Sequence, residues 1–203
     1  MKIPYTPIKV IDTFLESPDL WREYALKQEY YRDELAPYPG LRTKPLNKLN
    51  PDLFAGLARK LIKHCHGAKD FPHLEITFAL VDETFGTGWI HQDEPHYNIA
   101  GMIYLNPIAP RGTGTGFYNY ANFTEETFMH LALDEYNSEP ADRTKFETAK
   151  QRQQSFFNKT MTVENEFNRC VMFHPNHWHS ADRFFGNSKE NTRLTINFFG
   201  TWQ

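Results

Sequence analysis

Apolar residues change their spacing near residue 70. Before that point they recur at helical intervals. Leu53, Leu57, Leu61 and Cys65 fall on one stripe, so a helix is expected over Asn50 to Cys65. Asn50 suits the cap, and Pro51 suits the first turn, where a missing amide hydrogen costs nothing. A second helical pattern covers Pro18 to Tyr31, with Leu20, Tyr24 and Lys27/Gln28 marking its opposite faces. Between the two, Ala36-Pro-Tyr-Pro-Gly40 reads as a turn or a short polyproline stretch that breaks the helical region without linking domains.

From Leu74 onward the pattern is one of short apolar strands: Leu74 to Val81, Asn98 to Leu105, Gly116 to Tyr120, Gln154 to Val163, Asn168 to Phe173 and Leu194 to Phe199. Turn residues separate them, which suggests a barrel or sandwich. The stretch from Thr124 to about Lys150 is polar and helix-like, with Thr124 as a candidate cap followed by Glu125 and Glu126, and reads as an insertion between strands. The expected organisation is one domain over 1–203: mainly helical support over 1–70, then a β core over 74–203.

Composition narrows the picture modestly. Aromatics at 15% and 13 prolines favour a loop-rich β fold over a helical bundle. A net charge of −3, from 22 Lys+Arg and 25 Asp+Glu, gives no global field for nucleic acid or anionic lipid. The first residues lack the apolar core of a signal peptide and no apolar run is long enough to span a bilayer, so a soluble cytoplasmic protein without membrane or nucleic-acid partners is expected. The 2 cysteines, Cys65 and Cys170, are expected to be buried free thiols.

The chemistry concentrates around Trp89-Ile-His91-Gln-Asp93. In an extended segment His91 and Asp93 project to the same side and can offer a nitrogen and an oxygen to one ion. A second histidine cluster, Phe173-His-Pro-Asn-His-Trp-His179-Ser, lies downstream and offers His174, His177 and His179 for a third ligand. Two histidines and one carboxylate leave open positions on non-haem iron for further ligands. On the last strand Arg193 and Thr195 share one face, while Leu194, Ile196 and Phe198 share the other. A guanidinium turned into a barrel needs an anion, and a bidentate carboxylate guest supported by a hydroxyl would supply one.

His-x-Asp, a distal His and an Arg-x-Thr on a late strand resemble, in this order, the motif set of the Fe(II)/2-oxoglutarate-dependent dioxygenase superfamily. The run Ile103-Tyr104-Leu-Asn106 followed by Gly114-Thr-Gly-Phe-Tyr118 is similar to its prolyl-hydroxylase branch, and the likeness extends from about Leu74 to Phe199. The resemblance implies a double-stranded β-helix, or jelly roll, mainly β with supporting helices. It implies iron held by His91, Asp93 and His179, and 2-oxoglutarate held through its far carboxylate by Arg193, Thr195 and Tyr104. The implied reaction uses O2 and hydroxylates a C–H bond of an amino-acid, peptidyl or other small substrate, releasing succinate and CO2. His179 is preferred over His177 and His174 because Trp-His-Ser-Ala resembles the distal motif. His96, Asp182 and Arg183 read as loop residues, and Glu94 as the lesser carboxylate because Pro95 opposes the helix it would need.

Two features depart from the family pattern: a longer spacing from His179 to Arg193, with the extra length in Phe184-Phe-Gly-Asn-Ser-Lys-Glu190, and the large insertion. Two other readings stand beside this one. A cupin-type metal enzyme would dispense with 2-oxoglutarate, and a non-catalytic jelly-roll binding domain would use Glu75 or Asp82 to neutralise Arg193.

Overall fold

The structure is a computed structural model and describes residues 6–32, 38–121 and 143–203. Its elements are β1 (Lys9–Ile11), α1 (Pro18–Leu26), β2 (Leu41–Arg42), α2 (Leu46–Leu49), α3 (Pro51–Ile62), β3 (His73–Val81), β4 (Ile99–Tyr104), β5 (Thr115–Tyr120), α4 (Arg143–Gln154), β6 (Phe157–Val163), β7 (Cys170–Phe173), β8 (Trp178–Ala181) and β9 (Arg193–Thr201). They form a 6-stranded sheet in the order β1-β7-β4-β9-β3-β2 and a 3-stranded sheet in the order β6-β5-β8. All pairings among named strands are antiparallel.

Strand alternation sorts the large sheet into two faces. Ile76, Phe78 and Leu80 of β3, Ile99 and Ile103 of β4, and Leu194, Ile196 and Phe198 of β9 pack with Leu57 and Leu61 of α3 into the main core. The opposite face carries Ala100 and Tyr104 of β4 and Val171 and Phe173 of β7, which meet Phe117 of β5 across the gap between the sheets. Helices α1 to α3 therefore cover one side of the large sheet, and the small sheet covers the other.

The helix ends have local causes. The Asn50 side chain accepts from the Leu53 amide at 3.0 Å and caps α3 as its sequence suggests. Beyond Ile62 the chain tightens into three-residue turns, His64 N–H to Leu61 O and Cys65 N–H to Ile62 O, so the helix stops short of Cys65. α1 ends at Leu26 rather than Tyr31 because Tyr31 is drawn into a two-way bridge with Arg42, at 2.8 and 2.9 Å.

The six strands expected from the apolar runs are present with shifted ends. The largest shift is at β6, which starts at Phe157 because Gln154 closes α4. The structure adds β1 and β2 from the stretch expected to be helical, and β8 from the histidine cluster. Of the insertion, residues 122–142 lie outside the described residues, as do Ala36 and Pro37 of the Ala36 to Gly40 turn. Cys65 and Cys170 are buried and free. Among the described residues no helix is long and apolar enough to cross a membrane.

Candidate metal and anion site

The segment from Gly88 to His91 runs alongside β8 and extends the small sheet by one edge. Gly88 N–H donates to Ala181 O at 2.9 Å, and His91 and His179 exchange backbone hydrogen bonds at 3.0 and 2.9 Å. Glycine is required at 88, since a Cβ there would sit 2.8 Å from the Ala181 nitrogen. Alternation turns Ile90 outward into a cluster with Phe156 and Phe157, leaving His91 on the side of His179. The Asp93 amide then donates to Pro175 O at 3.0 Å, which brings the carboxylate back between the two imidazoles.

Ligand-capable atoms of His91, Asp93 and His179 lie within 4.8 Å of one another. His91 Nε2 stands 3.5 Å from Asp93 Oδ1, and His179 Nε2 stands 3.4 Å from Asp93 Oδ2. Each Nδ1 donates to a backbone carbonyl, His91 to Trp89 at 2.8 Å and His179 to His177 at 2.9 Å. Those bonds fix the tautomer that leaves Nε2 as a bare lone pair, the arrangement outer-sphere partners impose on metal-bound histidines. Asp93 Oδ2 is buried and has no hydrogen-bond partner. Burial and the neighbouring His91 push the His179 imidazole down to about 4, so it is neutral at ordinary pH. Burial alone would raise the Asp93 carboxyl, but His179, His91 and Arg42 together hold it below the usual range.

The other end of the gap is basic. Val81, Ala79 and Thr77 of β3 pair with Arg193, Thr195 and Asn197 of β9, and Thr195 pairs in turn with Tyr104. Arg193 is 6% exposed, and its buried Nε has no hydrogen-bond partner. Its guanidinium lies 5.4 Å from the ring centre of Tyr104 and 5.7 Å from that of Phe184. Phe184 belongs to the extra length before β9: its amide donates to Gly86 O at 2.7 Å, and Arg193 N–H donates to Phe185 O at 3.1 Å. The longer loop thus folds an aromatic over the arginine. The Tyr104 phenol and Thr115 Oγ1 are 2.6 Å apart, while Thr195 donates to Asn197 Oδ1 at 2.7 Å. Asn106 brackets Arg193 along the backbone, donating to Thr192 O at 2.9 Å and accepting from Leu194 N–H at 2.7 Å.

The remaining candidates fall outside this arrangement. The Glu94 and His96 side chains are 72% and 63% exposed. The His174 ring accepts from the Asn176 amide at 3.3 Å, and His177 contributes its carbonyl to His179. Asp182 is not a solvated loop acid: its side chain is 7% exposed, pairs with Lys159 at 2.7 Å and accepts from Thr162 at 3.0 Å. Glu75 is exposed, and Asp82 spends its carboxylate on the Thr84 amide.

Sequence reasoning missed two contributors. Arg42, on the two-residue β2, faces the site from the far edge of the large sheet. Three side chains of α4 brace the loop that leads into His91 and Asp93. Lys150 donates to Phe85 O and Thr87 O at 3.1 Å, and Gln154 donates to Thr87 Oγ1 and Gly88 O at 3.1 Å. Gln153 donates to Ile90 O at 2.6 Å and accepts from Ile90 N–H at 3.4 Å. A polar helix without an apolar stripe gives no sign in sequence that its amides will be spent on a neighbouring loop.

A family profile described as "Family of unknown function (DUF6445)" matches residues 2–200. No curated protein sequence matches the chain. Among solved structures, the chain is similar to HygX from Streptomyces hygroscopicus with nickel and 2-oxoglutarate bound, at 14% identity and a TM-score of 0.58, over 97% of this chain and 83% of that one. It is similar to a prolyl hydroxylase from Trichoplax adhaerens in complex with a hypoxia inducible factor peptide, at 13% identity and a TM-score of 0.57, over 97% and 84%. A Pseudomonas putida prolyl-4-hydroxylase aligns at 14% identity and a TM-score of 0.53, over 98% and 94%. These likenesses establish a shared fold with iron and 2-oxoglutarate oxygenases, prolyl hydroxylases among them.

Proposed function

The chain belongs to the family of unknown function DUF6445, and we propose from its site that it is an Fe(II)- and 2-oxoglutarate-dependent oxygenase working as one catalytic unit on a jelly-roll scaffold. The observation that carries this reading is a pair of orphaned groups facing one gap: the unpartnered Asp93 Oδ2 between two bare imidazole nitrogens, and the unpartnered Arg193 Nε. A buried carboxylate oxygen and a buried guanidinium N–H without partners each cost free energy, and one bound cation and one bound anion would relieve both.

The residues fit the group. His91 Nε2, Asp93 and His179 Nε2 form a hard and borderline donor set suited to Fe(II), with the carboxylate place filled by Asp93. When bound, iron with 2-oxoglutarate and O2 supplies oxidation of a substrate C–H to C–OH, with the cosubstrate split to succinate and CO2.

The protein's own part is placement. Arg193 offers its fork to the far carboxylate of the cosubstrate, with Tyr104 beside it as a hydroxyl donor and Thr195 able to donate there on releasing its bond to Asn197. The Tyr104 and Thr115 hydroxyls are hydrogen-bonded to each other, and with Thr115 as the donor the phenol proton is left to donate to a guest. Phe184 packs over the Arg193 guanidinium and Phe117 lies near the His179 ring, which strengthens charge-assisted contacts to those two groups. Trp89 O and His177 O hold the imidazole protons at Nδ1 and keep the Nε2 lone pairs directed at the metal position. The unpartnered Arg193 Nε favours this reading over a cupin-type enzyme, which has no anion to offer it. The substrate class is an amino-acid, peptidyl or other small molecule, in keeping with the hygromycin B and the hypoxia inducible factor peptide held in two structures of similar proteins.

The direct test is uncoupled turnover. Iron-loaded protein should convert 2-oxoglutarate to succinate slowly in air without added substrate, and His179→Ala should stop it. Succinate formation equal in both proteins would remove the assignment.

A further inference from the structure

Arg42 gives the site a second cationic centre, which acts on Asp93 through its charge and is not among the proposed metal ligands or cosubstrate contacts. Gly40 introduces it: φ is 76° there, and a Cβ would lie 2.2 Å from the Leu80 carbonyl oxygen, so only glycine lets β2 lie this close against β3. The pairing Arg42 to Ala79, Ala79 to Thr195 and Thr195 to Tyr104 puts these four residues in one row across the large sheet. Residues paired directly across antiparallel strands project to the same face, here the face that carries Tyr104 toward the small sheet. The Arg42 guanidinium stacks on the Tyr38 ring at 4.3 Å. Its Nε is closed off from solvent and has no hydrogen-bond partner. The charged groups that act on it are Asp93, Glu75 and Arg193, with Tyr38 alongside.

Ala79, between Arg42 and Thr195, carries only a methyl group into the gap. Two strand spacings, roughly 10 Å, separate the Arg42 backbone from that of Thr195. One five-carbon dianion held at Arg193 and at the metal therefore does not consume Arg42. Resting on the oxygenase reading, we propose that Arg42, stacked on Tyr38, anchors a carboxylate of the primary substrate beside the metal position, so that the enzyme acts on a carboxylate-bearing small molecule or residue. A carboxylate suits the site better than a phosphate dianion. Arg42 is a single planar fork whose neighbours include two acids, and the other cation near it, Arg193, is given to the cosubstrate.

The experiment uses ¹⁵N-labelled full-length protein, free of iron and saturated with 2-oxoglutarate and Zn(II), and follows the arginine Nε–H signals. The Arg42 signal is assigned by its loss in Arg42→Lys. N-acetylglycine is the probe, with N-acetylglycinamide as its neutral match and inorganic phosphate as the competing anion. The expected result is a saturable shift of the Arg42 signal with N-acetylglycine only. Affinity should fall about tenfold in Arg42→Gln, with partial recovery in Arg42→Lys and the 2-oxoglutarate affinity of all three proteins within about twofold. No shift of Arg42 up to 100 mM probe, an equal shift with the amide, or a preference for phosphate would overturn the proposal. So would a large loss of 2-oxoglutarate affinity in Arg42→Gln, which would make Arg42 part of the cosubstrate site. Because the signal is read without iron or turnover, an oxygenase reading that failed on its own would show as absent 2-oxoglutarate binding in wild type, whatever Arg42 did.

Discussion

Replacing Gln153 by leucine tests whether α4 holds the ligand loop in place. Gln153 is 1% exposed, and its amide meets both backbone groups of Ile90, the residue before His91. Leucine keeps most of the side-chain volume but strands a buried carbonyl and a buried N–H. Leaving such groups unpaired costs about 1–3 kcal/mol, with the upper part of that range expected because two groups are affected. The same change frees the His91 segment to shift along β8. Loss of an outer-sphere support typically lowers metal affinity roughly 10- to 100-fold. Urea denaturation of metal-free protein would read the first effect as a lower midpoint at unchanged slope, and competition with a chelator for Fe(II) would read the second. Gln151→Ala, on the exposed side of the same helix, is the control and should leave both unchanged. A Gln153→Leu protein that loses stability but binds iron as tightly as wild type would refute the positioning role, and one that loses neither would refute the account of the brace altogether.

Asn106→Ala removes both bonds that bracket Arg193 and should cost about 2–3 kcal/mol in thermal or urea unfolding while weakening 2-oxoglutarate binding. Phe184→Ala opens the arginine to water, and calorimetric titration should show 2-oxoglutarate affinity reduced several-fold with little change in iron affinity. The exposed pair Asp12 to Arg169, at 2.6 Å, contributes about 0.5 kcal/mol. Its hydrogen bond to Arg169 lowers the Asp12 carboxyl from 3.8, so that stability is present above the unfolded value and lost as pH falls through the lowered folded one. Asp12→Asn should therefore cost its small penalty at neutral pH, and the difference from wild type should close in acid. A difference that grew in acid would reverse the sign of this argument.

The β core was legible because its strands are long apolar runs, and β3 and β9 bury one side chain in every two against the helices. That His91 and Asp93 could face one point was legible from their extended spacing, but His-x-Asp alone is a weak signal, and it was the downstream histidine cluster and Arg193 that gave it weight. Choosing His179 over His177 took the family resemblance. In the structure the two differ in that His179 is the residue bridged to His91. Arg42 was not legible because β2 is two residues long and exists only through its pairing with β3. The sole hint in sequence is Gly40 set just before Leu-Arg-Thr at the end of a proline-rich turn. The brace was hidden for a different reason: Lys150, Gln153 and Gln154 lie on a polar helix, and polar residues there read as solvent-facing until the loop they bind is placed beside them. For Asp182 the sequence favours the solvated-loop reading over an ion pair, because its partners Lys159 and Thr162 come from a strand distant in sequence.

The central claim is that one gap between the sheets holds a metal at His91, Asp93 and His179 and a dicarboxylate at Arg193. It is tested most directly by anaerobic titration of the protein with Fe(II) and then 2-oxoglutarate, following the visible charge-transfer band of the chelated cosubstrate. The account predicts a band in wild type, none in His179→Ala, and a band in Arg193→Ala only at far higher 2-oxoglutarate. A folded, iron-loaded wild-type protein that gives no band at any concentration would contradict it.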